Sequence, residues 1–224
     1  MVLYQKVKQS FNSVRDADKV TRRNICVGVP CRIASRYFFV ARMVLKMSSK
    51  IIIDTQTLTR TLARLAHEII EHSEGYEEVY LVGIKRRGVP LAKMLKTNIE
   101  SFSNLKVHLG ELDITLYRDD LSEKYSSPQL NGTQIDFDVT NKNIILVDDV
   151  LFTGRTARAA MDAIIKLGRP AKIQLAVIID RGHRELPICA NYVGKNIPTS
   201  SDEFVSVKVN EIDGVFRAEL YKNS

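Results

Sequence analysis

Two adjacent acids and a hydroxyl-rich turn are the residues of this chain best suited to chemistry. Asp148 and Asp149 follow the aliphatic run Ile144-Ile145-Leu146-Val147, and Thr153-Gly154-Arg155-Thr156 follows shortly after, ahead of the helical run Ala157 to Leu167. Four aliphatic residues in succession read as a buried parallel strand. In an open α/β sheet, ligands bind beyond the carboxyl ends of the strands. A turn entering a helix N-terminus offers backbone N–H groups and a favourable dipole to a phosphate. The turn therefore suits a phosphate, and the acids suit the hydroxyls of a sugar or the waters around a hard metal ion. Either feature alone is commonly a plain turn or an N-cap. The specificity lies in their order.

A second constellation has the same logic. Val79 to Ile84 reads as a buried strand ending in Lys85-Arg86-Arg87-Gly88, and a helix Val89 to Glu100 follows. A glycine just past a strand lets the backbone approach an anion closely, and the cations before it offset the anion's charge. A solvated basic turn is the bland alternative.

The remaining elements must hold these two turns in place. Ile51-Ile52-Ile53 is a short strand, and Asp54 or Thr55 can cap the helix after it. Leu58, Leu62, Leu65, Ala66 and Ile69 recur at helical spacing, whereas Arg60, Arg64, His67 and Glu68 fall largely off that stripe. Leu105 to Leu109 and Glu111 to Tyr117 read as two further strands. The polar stretch Arg118 to Asn141 lacks a sustained period, and a loop of that length is usually a lid or disordered. Gly168-Arg169-Pro170 stops the helix from Ala157, Ile173 to Ile179 is a buried strand, and Phe204 to Val209 with Val215 to Tyr221 form a hairpin around Asp213-Gly214.

Composition narrows the class. The chain has 224 residues, 45% of them hydrophobic, which fits one globular domain with an appendage. Cys26, Cys31 and Cys189 are widely spaced and form no Cys-x-x-Cys or Cys/His cluster. This argues against a disulfide framework or a zinc site and fits a reducing cytoplasm. No apolar run reaches the roughly 20 residues that span a bilayer. The net charge of +7 is uneven: residues 1–46 hold ten Lys/Arg and two Asp/Glu, and the rest hold 23 and 24. The body is thus close to neutral, so any basic face must come from local clustering. The basic leader 1–46 reads as a targeting peptide, as an RNA-touching arm, or as a disordered extension or over-extended gene start before Met47; the last reading is preferred on composition.

Taken together, Ile144 to Thr156 closely resembles the phosphoribosyl-pyrophosphate (PRPP) motif of type I phosphoribosyltransferases. Its form Val-Asp-Asp-Val-Leu-Phe-Thr-Gly-Arg-Thr is similar to that of the family members that attenuate pyrimidine operons and transfer phosphoribose to uracil. Gly83, Ile84, Lys85, Arg87 and Gly88 match that family's pyrophosphate loop, and Arg64-x-x-His67-Glu68 matches its pattern on a helix along the RNA-binding face. The stretch from Thr115 to Leu121, with Tyr117 and Arg118, resembles the base of the mobile loop that closes over PRPP. Asp180 to Pro187 and Tyr192 to Pro198 resemble the segments assigned to a hood over the base and part of the RNA-facing surface.

The resemblance covers about Ile51 to Tyr221 and implies an α/β type I phosphoribosyltransferase fold. That fold has a central, mostly parallel sheet flanked by helices, a small hood and a mobile loop, within a domain of residues 47–224. It implies transfer of phosphoribosyl from PRPP to uracil, giving UMP and pyrophosphate, with Mg²⁺ held through PRPP and water rather than by direct protein ligands. Asp148 and Asp149 would act on the ribose, and Thr153, Gly154, Arg155 and Thr156 would take the 5′-phosphate. Lys85, Arg87 and Gly88 would take the pyrophosphate. Arg181, Tyr192 and Val193 are the base-contact candidates, and Arg64, His67, Arg184 and Lys195 the RNA-contact candidates. A UMP-responsive regulator of transcription attenuation, binding the pyrimidine operon leader mRNA as a homodimer or larger homo-oligomer, is the implied role. A salvage transferase for uracil, or for a purine or orotate, is the alternative. Ala63 and Cys189 stand where the family often carries threonine and usually arginine, which bears on RNA binding alone.

Overall fold

The computed structural model describes residues 48–115 and 132–222. Residues 1–46, Tyr117 and Arg118, all singled out from the sequence, lie outside that range. The described strands form two sheets. Strands β2 (Glu78–Ile84), β3 (Lys106–Leu112), β4 (Asn143–Leu151), β5 (Lys172–Asp180) and β6 (Tyr192–Asn196) make a five-stranded sheet in the order β3-β2-β4-β5-β6. Every pairing in it is parallel. Strands β1 (Ser48–Ile53), β8 (Arg217–Lys222) and β7 (Glu203–Lys208) make a small antiparallel sheet in that order.

The central strands are apolar almost end to end because both of their faces are covered. Alternate residues of β2 show this: Val79 and Leu81 join one core cluster, and Tyr80, Val82 and Ile84 join the other. Helices α1 (Thr55–His72) and α2 (Gly88–Phe102) cover the first face. Asp54 caps α1 by accepting the Thr57 N–H at 2.8 Å, and Leu58, Leu62, Leu65, Ala66 and Ile69 form its buried stripe. Pro90 falls in the first turn of α2, where a missing N–H breaks no helical bond. Helix α3 (Arg155–Leu167) covers the second face through Ala157, Ala160, Ala163 and Ile164.

This order creates the crevice. β2 leads through α2 to β3 on one side, and its neighbour β4 leads through α3 to β5 on the other, with the two helices on opposite faces. The chain parts between the carboxyl ends of β2 and β4, which is where an open α/β sheet takes its ligand. The cationic turn and the hydroxyl-rich turn leave those two ends.

Two expectations change. The two strands expected around Gly110 are one strand, β3, in which Gly110 pairs with Val82. A Cβ there would come within 2.9 Å of the Ile135 side chain, so the glycine makes room for a neighbour rather than breaking the strand. Tyr192 to Asn196 is not hood but the edge strand of the main sheet. The small layer is instead the antiparallel sheet, built from both ends of the domain. A short helix, α4 (Asn210–Asp213), joins β7 to β8.

Candidate active site

β4 carries its two acids within the strand's last turn of extended chain rather than beyond it, because pairing with β5 continues to Leu151 and Asp180. Asp148 Oδ1 accepts the Asp149 N–H and Asp149 Oδ1 accepts the Val150 N–H, each at 2.9 Å. These bonds fix both carboxylates at the crevice. Burial pushes the Asp149 carboxyl up from its ordinary value, and the Arg87 guanidinium opposes that rise.

Beyond β4 the chain turns sharply at Gly154, whose φ of +94° is left-handed. A Cβ there would only reach van der Waals contact with Leu186 and Ile188, at 3.4 Å, so the left-handed backbone is what calls for glycine. No side chain caps α3 in the usual way; the Thr153 hydroxyl reaches only the Arg155 N–H, at 3.4 Å. The helix N-terminus is thereby presented to a cleft of about 190 Å³, lined by Asp148, Leu151, Phe152 and all four residues from Thr153 to Thr156. Backbone N–H groups and a helix dipole around such a space suit an anion. Arg155 is steadied by Glu185, 2.7 Å from Nε to Oε2.

The cationic turn meets the acids through backbone. Gly88, first residue of α2, lies so close to β4 that a Cβ would stand 2.2 Å from the Val147 carbonyl oxygen and 3.4 Å from Asp148 Cα. Only glycine allows that approach. The peptide between Lys85 and Arg86 is cis. Lys85 Nζ donates to the Gly132 carbonyl and lies 3.6 Å from Glu111. Arg87 bonds to Asp213 and also faces Asp149.

The structure thus brings together Asp148, Asp149, Thr153 to Thr156, Arg87 and Gly88, with Lys85 on the same turn. It does not bring the base-contact candidates with them. Tyr192 is 2% exposed in the core, where its hydroxyl accepts from the Gln174 amide at 3.0 Å. Arg181 is 6% exposed, donating to Thr199 and to the Glu203 carbonyl and stacking 4.1 Å from the Phe152 ring centroid. Both side chains are committed to the fold. Val193 is half-buried on β6, and its carbonyl accepts from Arg64 at 3.0 Å.

The RNA-contact candidates divide as well. Arg64 and His67 are exposed on α1 and Lys195 is exposed on β6. Arg64 also donates to the Gly194 carbonyl, which places it beside Lys195, and His67 stacks on Phe102 with ring centroids 4.5 Å apart. Arg184 instead turns inward, donating to the carbonyls of Phe152, Gly182 and Ile188 and pairing with Asp180. It is a structural clamp. Phe152, Glu185 and Asp213 were given no site role from sequence, although Phe152 lies in the first motif, Glu185 in the segment Asp180 to Pro187 and Asp213 in the hairpin turn.

Among the described residues no cluster of three or more His, Cys, Asp or Glu could hold a metal ion, and no helix is long and apolar enough to cross a membrane.

The five-stranded parallel sheet carries a cationic turn after β2 and a hydroxyl-rich turn after β4, and the model "Phosphoribosyl transferase domain" matches residues 48–211. "Bifunctional protein PyrR" of Clostridium novyi is 59% identical over 172 residues, 77% of this chain and 97% of that protein. "Bifunctional protein PyrR" of Acetivibrio thermocellus is 59% identical over 164 residues, 73% of this chain and 89% of that protein. The chain belongs to the PyrR family of phosphoribosyltransferase-domain proteins. In fold it is also similar to a solved hypoxanthine-guanine phosphoribosyltransferase of Bacillus anthracis, with a TM-score of 0.58 at 21% identity over 78% of this chain and 99% of that one.

Proposed function

We propose that this protein is a UMP-responsive, RNA-binding regulator of pyrimidine operon attenuation that also transfers phosphoribosyl from PRPP to uracil, giving UMP and pyrophosphate. The observation that carries the reading is the 59% identity to a bifunctional PyrR protein across 97% of its length, together with both anion turns at one crevice. Residues 47–224 form the working domain.

The transfer needs charge and position rather than a nucleophile. The Thr153–Thr156 turn anchors the 5′-phosphate through the N-terminus of α3. Asp148 and Asp149 face the ribose hydroxyls and favour the positive charge that grows on the sugar as the bond to pyrophosphate lengthens. Lys85, Arg87 and the backbone at Gly88 take the negative charge of the leaving pyrophosphate. Mg²⁺, when bound with PRPP, neutralises phosphate charge. Two adjacent carboxylates suit an ion that keeps its waters and its phosphates. Phe152, exposed at the cleft and backed by Arg181, gives the crevice an apolar wall.

The regulatory half uses the exposed Arg64 and Lys195, whose cations suit RNA phosphates, with the exposed His67 beside them as a hydrogen-bonding group. The test of the enzymatic half is acceptor choice: the full chain with PRPP, Mg²⁺ and uracil, hypoxanthine or orotate. Turnover of uracil alone supports the reading. Preference for hypoxanthine or orotate replaces it with a different salvage enzyme.

A further inference from the structure

Arg87 ends the cationic turn, and its guanidinium is taken by a residue 126 positions away. Its Nε donates to Asp213 Oδ2 at 3.2 Å and its Nη2 to Asp213 Oδ1 at 3.1 Å. Asp213 is the last residue of α4, between the two strands β7 and β8 of the antiparallel sheet. The carboxylate is itself held: it accepts the Val209 N–H at 3.2 Å and lies 3.9 Å from Lys208 Nζ. Its side chain is only 13% exposed. Asp149 of β4 and Tyr221 of β8 are also near enough to Arg87 to favour its charged form. Burial pushes the Asp213 carboxyl up, but Arg87, the Val209 N–H and Lys208 together hold it below its ordinary value. Burial likewise lowers Arg87, and Asp213, Asp149 and Tyr221 more than restore it. Both partners are therefore charged at neutral pH.

We infer that Asp213 is a positioning residue for pyrophosphate: its carboxylate grips one edge of the Arg87 guanidinium and so aims the opposite edge at the leaving group. The inference rests on the assignment of the Lys85–Gly88 turn to pyrophosphate. Guanidinium is a rigid planar fork with five N–H donors. The contact with Asp213 uses Nε and one N–H of Nη2, and Nη1 takes no part in it. Two bonds to one carboxylate fix the plane of the fork as well as its place. Without them Arg87 would sample many rotamers and lose that freedom at each binding event. Because Asp213 belongs to α4, the same contact ties the anion turn to the antiparallel sheet.

The experiment is titration of the full chain with Mg²⁺-pyrophosphate and, separately, with UMP, which lacks the pyrophosphate, alongside steady-state kinetics. In Asp213→Asn, pyrophosphate binding weakens and the KM for PRPP rises by about tenfold, the scale of lost hydrogen bonds to a charged group. UMP affinity stays within about twofold, as expected of a site that does not share the contact. Asp213→Glu recovers part of the loss. Arg87→Lys, which keeps the charge and loses the fork, loses pyrophosphate affinity too, and the double variant is no worse than the worse single one. Should Asp213→Asn fail to fold, Asp213→Glu carries the same test, because a displaced carboxylate still moves pyrophosphate and not UMP.

Unchanged or tighter pyrophosphate binding in Asp213→Asn would overturn the inference, the latter by making Asp213 a competitor of the ligand. Equal losses for UMP and pyrophosphate would reduce Asp213 to a structural role and overturn it too. A wild-type chain that binds UMP but not pyrophosphate would remove the assignment of the turn, and the inference with it.

Discussion

Arg155 Nε donates to Glu185 Oε2 across 2.7 Å, tying the first residue of α3 to the irregular segment after β5. The same segment is fastened to the phosphate turn by main chain, since the Glu185 and Leu186 N–H groups both donate to the Thr153 carbonyl, at 3.0 and 3.1 Å. The turn is therefore held from both sides, and the ion pair is the weaker tie. Its partners are 48% and 52% exposed. Glu185→Gln should cost at most about 1 kcal/mol. Thermal unfolding at low and high salt checks this: a small drop in Tm at low salt, erased at high salt. A large, salt-independent loss would mean that Glu185 does more than pair with Arg155.

Gly88 is the tightest point of the site. With 2.2 Å between its hypothetical Cβ and the Val147 carbonyl oxygen, Gly88→Ala must push α2 or β4 aside. The expected cost is about 1–3 kcal/mol of stability. Catalysis should suffer more than folding, because the displaced backbone carries both the anion turn and Asp148. Near-wild-type kcat/KM for PRPP in a folded Gly88→Ala protein would contradict the placement of these turns.

Asp149 should limit stability while serving function. Its folded-state pKa is raised by burial, against the pull of Arg87, so the ionised form is disfavoured by folding. The resulting penalty is fully present above the folded-state value and vanishes below the ordinary value of 3.8. Asp149→Asn should therefore be more stable than wild type at pH 7 and much less active. The gain should shrink as pH falls through the folded-state value. Denaturant unfolding across that range checks both the sign and the window.

The four residues expected at RNA should separate by experiment as they do in the structure. Lys195→Ala should weaken RNA binding across sequences and lower the salt slope by about one, as for a lost phosphate contact. Arg184→Ala should act on stability instead, because four carbonyls, that of Leu151 included, and Asp180 lose a donor. Such a loss costs about 1–3 kcal/mol. Filter binding against salt, paired with thermal unfolding, distinguishes the two.

What could be read from sequence was local. The two turns were legible because each packs strand end, special residues and helix start into a short stretch. The buried strands were legible because apolar runs leave few other homes. Gly110 misled because a glycine that admits the Ile135 side chain looks, in sequence, the same as one that ends a strand. Tyr192 misled because a large aromatic with a hydroxyl suits a base pocket as well as a core, and only Gln174 decides between them. Arg184 read as a surface cation because its partners are carbonyls, which every residue has. Arg87 and Asp213 could not be paired at all without knowing that β7 and β8 fold back beside β1. Long-range contacts between common charged residues leave no periodic trace.

The most direct test of the central claim is RNA binding by the full chain at physiological salt, with the pyrimidine leader transcript and a scrambled control, with and without UMP. Selective binding that UMP strengthens is the expected result. Linkage then requires the leader RNA to raise UMP affinity by the same factor. Weak binding that ignores both sequence and UMP, in a protein that still transfers phosphoribose to uracil, would contradict the regulatory role and leave a salvage enzyme.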